Sequence, residues 1–136
     1  MHTNFKNLND FFNEVLKDLP CRYDTKSYII SIYDKYKKNE YNLSKDSITI
    51  LYSLAKEKQD FAMFQNIGDW IFFCKTLYPQ HLNNASEDYY RVIGRLSYNS
   101  CYRLIQRKWK LFEEMSDNFI ILENEAKKLL KINLYR

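Results

Sequence analysis

The apolar positions of this chain recur at steps of three and four along most of its length. Phe5, Leu8, Phe11, Phe12, Val15, Leu16 and Leu19 trace one face of a 3.6-residue repeat. That predicts a first helix, with Thr3 or Asn4 as its cap and Pro20 as its stop. Asp24 then predicts the cap of a second helix carrying Ile29, Ile32, Tyr33 and Tyr36 inward. Ser44 does the same for a third, with Ile48, Leu51, Leu54 and Ala55 inward; its β-branched run Ile48, Thr49 and Ile50 is the least helix-like stretch. A fourth segment, 61–78, has 12 apolar residues in 18, in nearly every direction around a helical wheel. Such a helix is buried from several sides.

Pro79 ends that segment, and "PQHLNNASED" reads as the main loop. Asn84 and Glu87 have capping-box spacing for a fifth helix, whose inward line is Tyr90, Gly94, Ser97, Cys101 and Leu104, with Ile93 and Ile105 alongside. Leu111, Phe112, Met115, Phe119, Leu122, Ala126 and Leu129 continue as a long amphipathic helix, either joined to the fifth or broken from it near Trp109. The pattern predicts an all-α protein: one domain over 1–136, built as a compact bundle of five to six helices. A transmembrane reading of 61–78 fails on its modest length and on Gln65, Asn66, Asp69 and Lys75 within it.

Composition agrees with helices. Only 2 Gly and 2 Pro occur in 136 residues, too few for the turns of a sandwich or barrel. Both glycines fall inside predicted helices, where each costs about 1 kcal/mol relative to alanine. A shared cause is close approach of two backbones, so helices four and five are expected to cross at Gly68 and Gly94, with Ser97 extending the small-residue stripe. Asp69 and Arg95 each lie one step past a glycine. The crossing would bring them together out of water, as a structural pair with Tyr98 or Tyr90 as further donors.

The run "IGDWIFFCKTLYPQHL" followed by "DYYRVIGRLSYNSC", preceded by "YDTKSYIISIYDKY", resembles an uncharacterised family of small helical bacterial proteins. That family carries a pattern like G-D-x-x-L-F-x-x-G-x-F-P, then Y-Y-x-x-x-G-x-x-A-Y. Gly68, Asp69, Phe72, Pro79, Tyr89, Tyr90, Gly94 and Tyr98 match it. Thr76 or Leu77 replaces a glycine and Ser97 an alanine. The resemblance covers about residues 22–125; it implies a helical fold and a bacterial origin, and no activity.

The formal charge of +4 is unevenly placed. Residues 91–110 carry six basic side chains and no acidic one, whereas the rest of the chain is nearly balanced. On a continuous helix Arg103, Arg107 and Lys110, with Lys108 and Trp109 nearby, would form a phosphate-contacting strip. A solvated helix face is the plainer reading. The three cysteines sit beside apolar residues as small buried groups. His2 and His81 form no metal-ligand motif, and no glycine-rich phosphate loop or nucleophile–base constellation can be written. No metal or cofactor is therefore expected.

These patterns lead to a non-catalytic helical interaction or adaptor protein that binds another protein or itself as a homodimer. The expected partner face is Leu122, Ala126, Leu129 and Leu130 on the C-terminal helix, about 111–132. The alternative is a nucleic-acid-binding protein using the 91–110 segment. The opening "MHTNFKNLNDFF" has neither a basic start nor an apolar run, so the expected location is cytoplasmic. An effector exported through a C-terminal signal would read the same.

Overall fold

The computed structural model describes residues 8–39, 45–82 and 85–134. The expected caps Thr3, Asn4, Ser44 and Asn84 lie outside the described residues, as does Phe5. Among the described residues there are seven α-helices and no strand. They are α1 (Leu8–Val15), α2 (Tyr23–Asn39), α3 (Lys45–Lys58), α4 (Phe61–Leu77), α5 (Glu87–Leu104), α6 (Lys110–Asp117) and α7 (Phe119–Leu134), with one 3₁₀ turn at Pro79–Leu82.

The expected five to six helices become seven because the C-terminal amphipathic run breaks twice. After α5 the chain turns through Gln106 and Arg107, both left-handed (φ 56° and 61°). Arg107 N–H then closes on the carbonyl of Tyr102 at 2.9 Å. A second interruption falls at Asn118, whose N–H caps α6 on the carbonyl of Glu114 at 2.9 Å. The first break is the alternative expected near Trp109; the second, at Asn118, falls inside the run read as one helix, because the inward positions resume in phase on its far side.

Side chains set the helix starts. Asp60 caps α4 by accepting from Met63 N–H at 3.2 Å. Ser86 caps α5 by accepting from Tyr89 N–H at 3.1 Å, two residues later than the expected Asn84. Asp24 lies inside the first turn of α2, not at its cap, and its Oδ1 accepts from Thr25 N–H at 3.0 Å.

α4 is the central element, in contact with α2, α3, α5, α7 and the 3₁₀ turn. Its all-round apolar pattern follows from that position: every residue from Ile67 to Thr76 is buried. α5 makes the most extensive contact with it and also touches α6 and α7. The core is largely aromatic, with Trp70, Tyr33, Tyr90, Tyr98, Phe64, Phe72, Phe112 and Phe119 all fully enclosed. Within it Phe72 meets Phe119 edge to face at 5.6 Å between centroids. No helix of the described residues is long and apolar enough to cross a membrane.

Each glycine makes room for a ring. A Cβ at Gly68 would lie 2.9 Å from two carbons of the Tyr98 ring, and one at Gly94 would lie 2.8 Å from two carbons of Phe119. The expected crossing is thereby recast. α4 and α5 do pack together, and a Cβ at Gly94 would lie 3.5 Å from Ile71 of α4. The closest atoms over the glycines, however, are aromatic side chains from α5 and from α7.

Candidate functional site

Two buried carboxylates hold the bundle, and a third region, the outer face of α5, is open to solvent. Asp69 is 2% exposed on α4. Its Oδ1 accepts from Tyr28 Oη at 2.5 Å and from Tyr98 Oη at 2.7 Å. Lys35 Nζ lies 3.4 Å from Oδ2, reaching in from α2. Gln65 Nε2 donates to Tyr28 Oη at 3.1 Å, which directs that hydroxyl's own proton toward Asp69. The Gly68–Asp69 dipeptide explains the geometry. With no side chain at 68, the Tyr98 ring lies on the backbone of α4 and its hydroxyl falls on the next residue.

The expected Asp69–Arg95 pair is not formed. Arg95 is on the exposed side of α5, and its Nε donates to the backbone carbonyl of Ser116 at 3.3 Å, with Ser116 Oγ returning a bond to the Arg95 carbonyl at 3.1 Å. The physical reason is angular. One residue is 100° of helix, so glycines whose vacant sides face the core send their C-terminal neighbours in unrelated directions. Tyr98, four residues past Gly94, is one of the two hydroxyl donors; Tyr28 is the other.

Burial pushes the carboxyl of Asp69 above its ordinary range, while the Tyr28 and Tyr98 hydroxyls and the Lys35 ammonium pull the other way. The two phenols are held well above theirs, first by burial and then by the neighbouring Asp69 charge. The two phenols keep their protons, and the cluster joins α2, α4 and α5.

Glu123, fully enclosed on α7, is the second lock. Arg91 of α5 meets it with two bonds, Nε to Oε1 at 3.2 Å and Nη2 to Oε2 at 3.1 Å. Lys75 of α4 lies 3.7 Å and Lys127 3.5 Å from Oε2. Lys75, itself buried, also donates to Glu87 at 2.9 Å, and Arg91 Nη2 lies 3.3 Å from the same Glu87 oxygen. This network was missed in the sequence, although its signal was present. Phe119, Glu123, Ala126 and Leu130 share one seam at steps of four, three and four. An acid inside an inward seam requires a cation or hydrogen-bond donors that reach it out of water.

The expected partner face on the C-terminal helix is corrected. Leu122, Ala126 and Leu130 are buried in this chain's own core, and Leu129 is partly buried against it. The helix completes the bundle. Ser97 is likewise enclosed, and its Oγ has no hydrogen-bond partner among the described residues.

The basic strip is present but does not lie along one helix. Arg103 lies in the last turn of α5, Arg107 sits in the left-handed turn, Lys108 follows it and Lys110 opens α6; all four are exposed. Lys110 is directed to Tyr102 Oη at 2.9 Å and to Glu113 at 3.7 Å. Trp109, between them, is 57% exposed and stacks on Phe112 by one side.

On α5 itself, Val92, Leu96, Asn99 and Arg103 form the outward stripe at steps of four, three and four, with Arg95 beside Leu96. Val92 is 49% and Leu96 43% exposed. Together with Arg95, Asn99, Ser116 and Asp117 they line a groove of about 350 Å³ between α5 and the end of α6. Ile120, one step past the Phe119 that sits over Gly94, adds a further exposed apolar side chain at the start of α7. Among the described residues no three His, Cys, Asp or Glu side chains converge on a metal-sized site. His81 is exposed and stacks on Tyr78, while burial raises the thiols of Cys74 and Cys101 far above their usual range. Comparison with protein families, with curated proteins and with solved structures found no match.

Proposed function

We propose that this protein acts as a non-catalytic helical interaction module that receives a helix of another protein on the outer face of α5. The observation that carries this reading is the pair Val92 and Leu96. They are two large aliphatic side chains one turn apart, exposed at the rim of a groove, on a helix whose opposite side is rigidly built into the core. Helix-in-groove recognition uses apolar anchors at that spacing, with polar groups at the rim to fix register. Arg95, Asn99 and Asp117 are such groups here. Behind this face, the two enclosed carboxylates, Asp69 and Glu123, are tied to partners on other helices, which suits a rigid platform better than a reacting centre.

The test is a photoreactive amino acid placed at Leu96, with Ser53 on exposed α3 as the control position, in cells of the native host. A discrete adduct from position 96 alone is expected. The captured protein, purified, should bind at least about tenfold more weakly to Val92→Asp with Leu96→Asp, at unchanged melting temperature. Equal adducts from both positions, or binding indifferent to the two substitutions, would remove the proposal.

A further inference from the structure

We infer that the segment received on α5 is an acidic amphipathic helix, whose apolar side meets Val92 and Leu96 and whose carboxylates meet the cations at the C-terminal end of the same face. This rests on the docking reading above and specifies its partner. Between Asp88 and Glu113 the chain has no acid at all. The exposed stripe inherits that bias: Arg103 lies on it, Arg95 lies beside it, and Arg107 and Lys108 lie just beyond its end.

Of these cations, Arg107 is held in a backbone conformation that disfavours it. Gln106 and Arg107 are both left-handed, a conformation unfavourable for a non-glycine residue. Glycine at either position would relieve it. The chain instead places long polar side chains there, and the 2.9 Å bond from Arg107 N–H to the Tyr102 carbonyl holds Arg107 against the last turn of α5. The negative end of the α5 dipole accounts for one cation at this point. It does not account for Arg95, more than two turns back, nor for Lys108 beyond the turn.

Charge decides between occupants. A second copy docked antiparallel across a twofold axis would offer these cations only Asp88 at the start of its α5, since Glu87 is already paired with Lys75 and Arg91, and a parallel copy would set arginines against arginines. Nucleic acid would use the cations and Trp109 but would leave Val92 and Leu96 without an apolar counterpart. An acidic amphipathic helix matches both halves of the surface.

The experiment displays a library of amphipathic helices with a fixed aliphatic side and randomised polar positions, selected on the intact protein. Three variants are screened in parallel: Val92→Ser with Leu96→Ser, Arg103→Glu with Arg107→Glu, and the natural sequence. Melting curves confirm that all three are folded. The expected binders carry a clear excess of Asp and Glu, lose at least about tenfold in affinity on the double-glutamate variant, and weaken as salt is raised. Binders without acidic bias that still fail on the serine variant would sink the acidic partner and leave the docking face standing. Binders that ignore the serine variant would sink both. A single-stranded oligonucleotide that binds more tightly than any selected helix, or a dimer in sedimentation that the serine variant dissolves, would also overturn the acidic-helix assignment.

Discussion

Asp69 and Glu123 are both acids enclosed on helices that touch each other, and they are held by different chemistry. Neutral hydroxyls supply the short bonds to Asp69, and its one cation reaches in from a half-exposed position 3.4 Å away. Glu123 is met by a two-bond guanidinium and two ammonium groups, one of them itself buried. The difference teaches where charge can be left out of water. Hydroxyl donors satisfy oxygen lone pairs without cancelling charge, so burial still pushes the Asp69 carboxyl upward. A bidentate arginine cancels charge and fixes geometry at once, but it makes each partner costly to lose.

Glu123→Ala should therefore be the most damaging change, about 3–5 kcal/mol in urea unfolding, because it strands Arg91 and Lys75. Adding Arg91→Met should recover part of that loss, and strict additivity of the two changes would contradict the lock. Asp69→Ala follows at about 2–3 kcal/mol, since it leaves two tyrosine hydroxyls without their acceptor. Arg95→Met should add to it without coupling, because the two side chains share no partner.

Gly68→Ala should come next, at about 1–2 kcal/mol net, as strain against the enclosed Tyr98 ring exceeds the gain in helix propensity. A cycle with Tyr98→Phe should show coupling, because displacing the ring also displaces the hydroxyl. Lys35→Ala should be smallest, within about 1 kcal/mol, because Lys35 is 41% exposed and its contact is long.

The same comparison has a pH dependence. Burial raises the folded Asp69 carboxyl above its unfolded value of about 3.9, so the native state holds that proton more tightly. Stability tied to this proton is fully present below the unfolded value and falls away as pH climbs through the folded one. Relative to Asp69→Asn, the natural protein should thus lose ground as pH rises from about 4. A gap that stays flat, or closes in the other direction, would remove the burial argument.

Helix existence was legible from apolar spacing. The first five helices and the inward lines of Phe12, Val15 and Leu16 or of Ile29, Ile32 and Tyr33 lie where the period puts them. A break near Trp109 was one of two open readings, but the left-handed form of its turn was illegible because neither Gln106 nor Arg107 belongs to the glycine vocabulary of left-handed backbone. The C-terminal helix was misjudged because its apolar seam fits a partner's surface and this chain's own core equally well. Glu123 inside that seam was the residue that could have decided it.

Sequence alone determined the class of this protein: helical spacing, few turn-formers, and a block of cations with no acid among them. Those are local properties, fixed by which residues follow which. Tertiary structure decided which residue answers which. Whether Gly68 receives a backbone or a ring, and whether Asp69 meets Arg95 or two tyrosines, depends on angles around helices and on which helix lies opposite. A one-dimensional period records the direction of a face and carries no information about what is set against it.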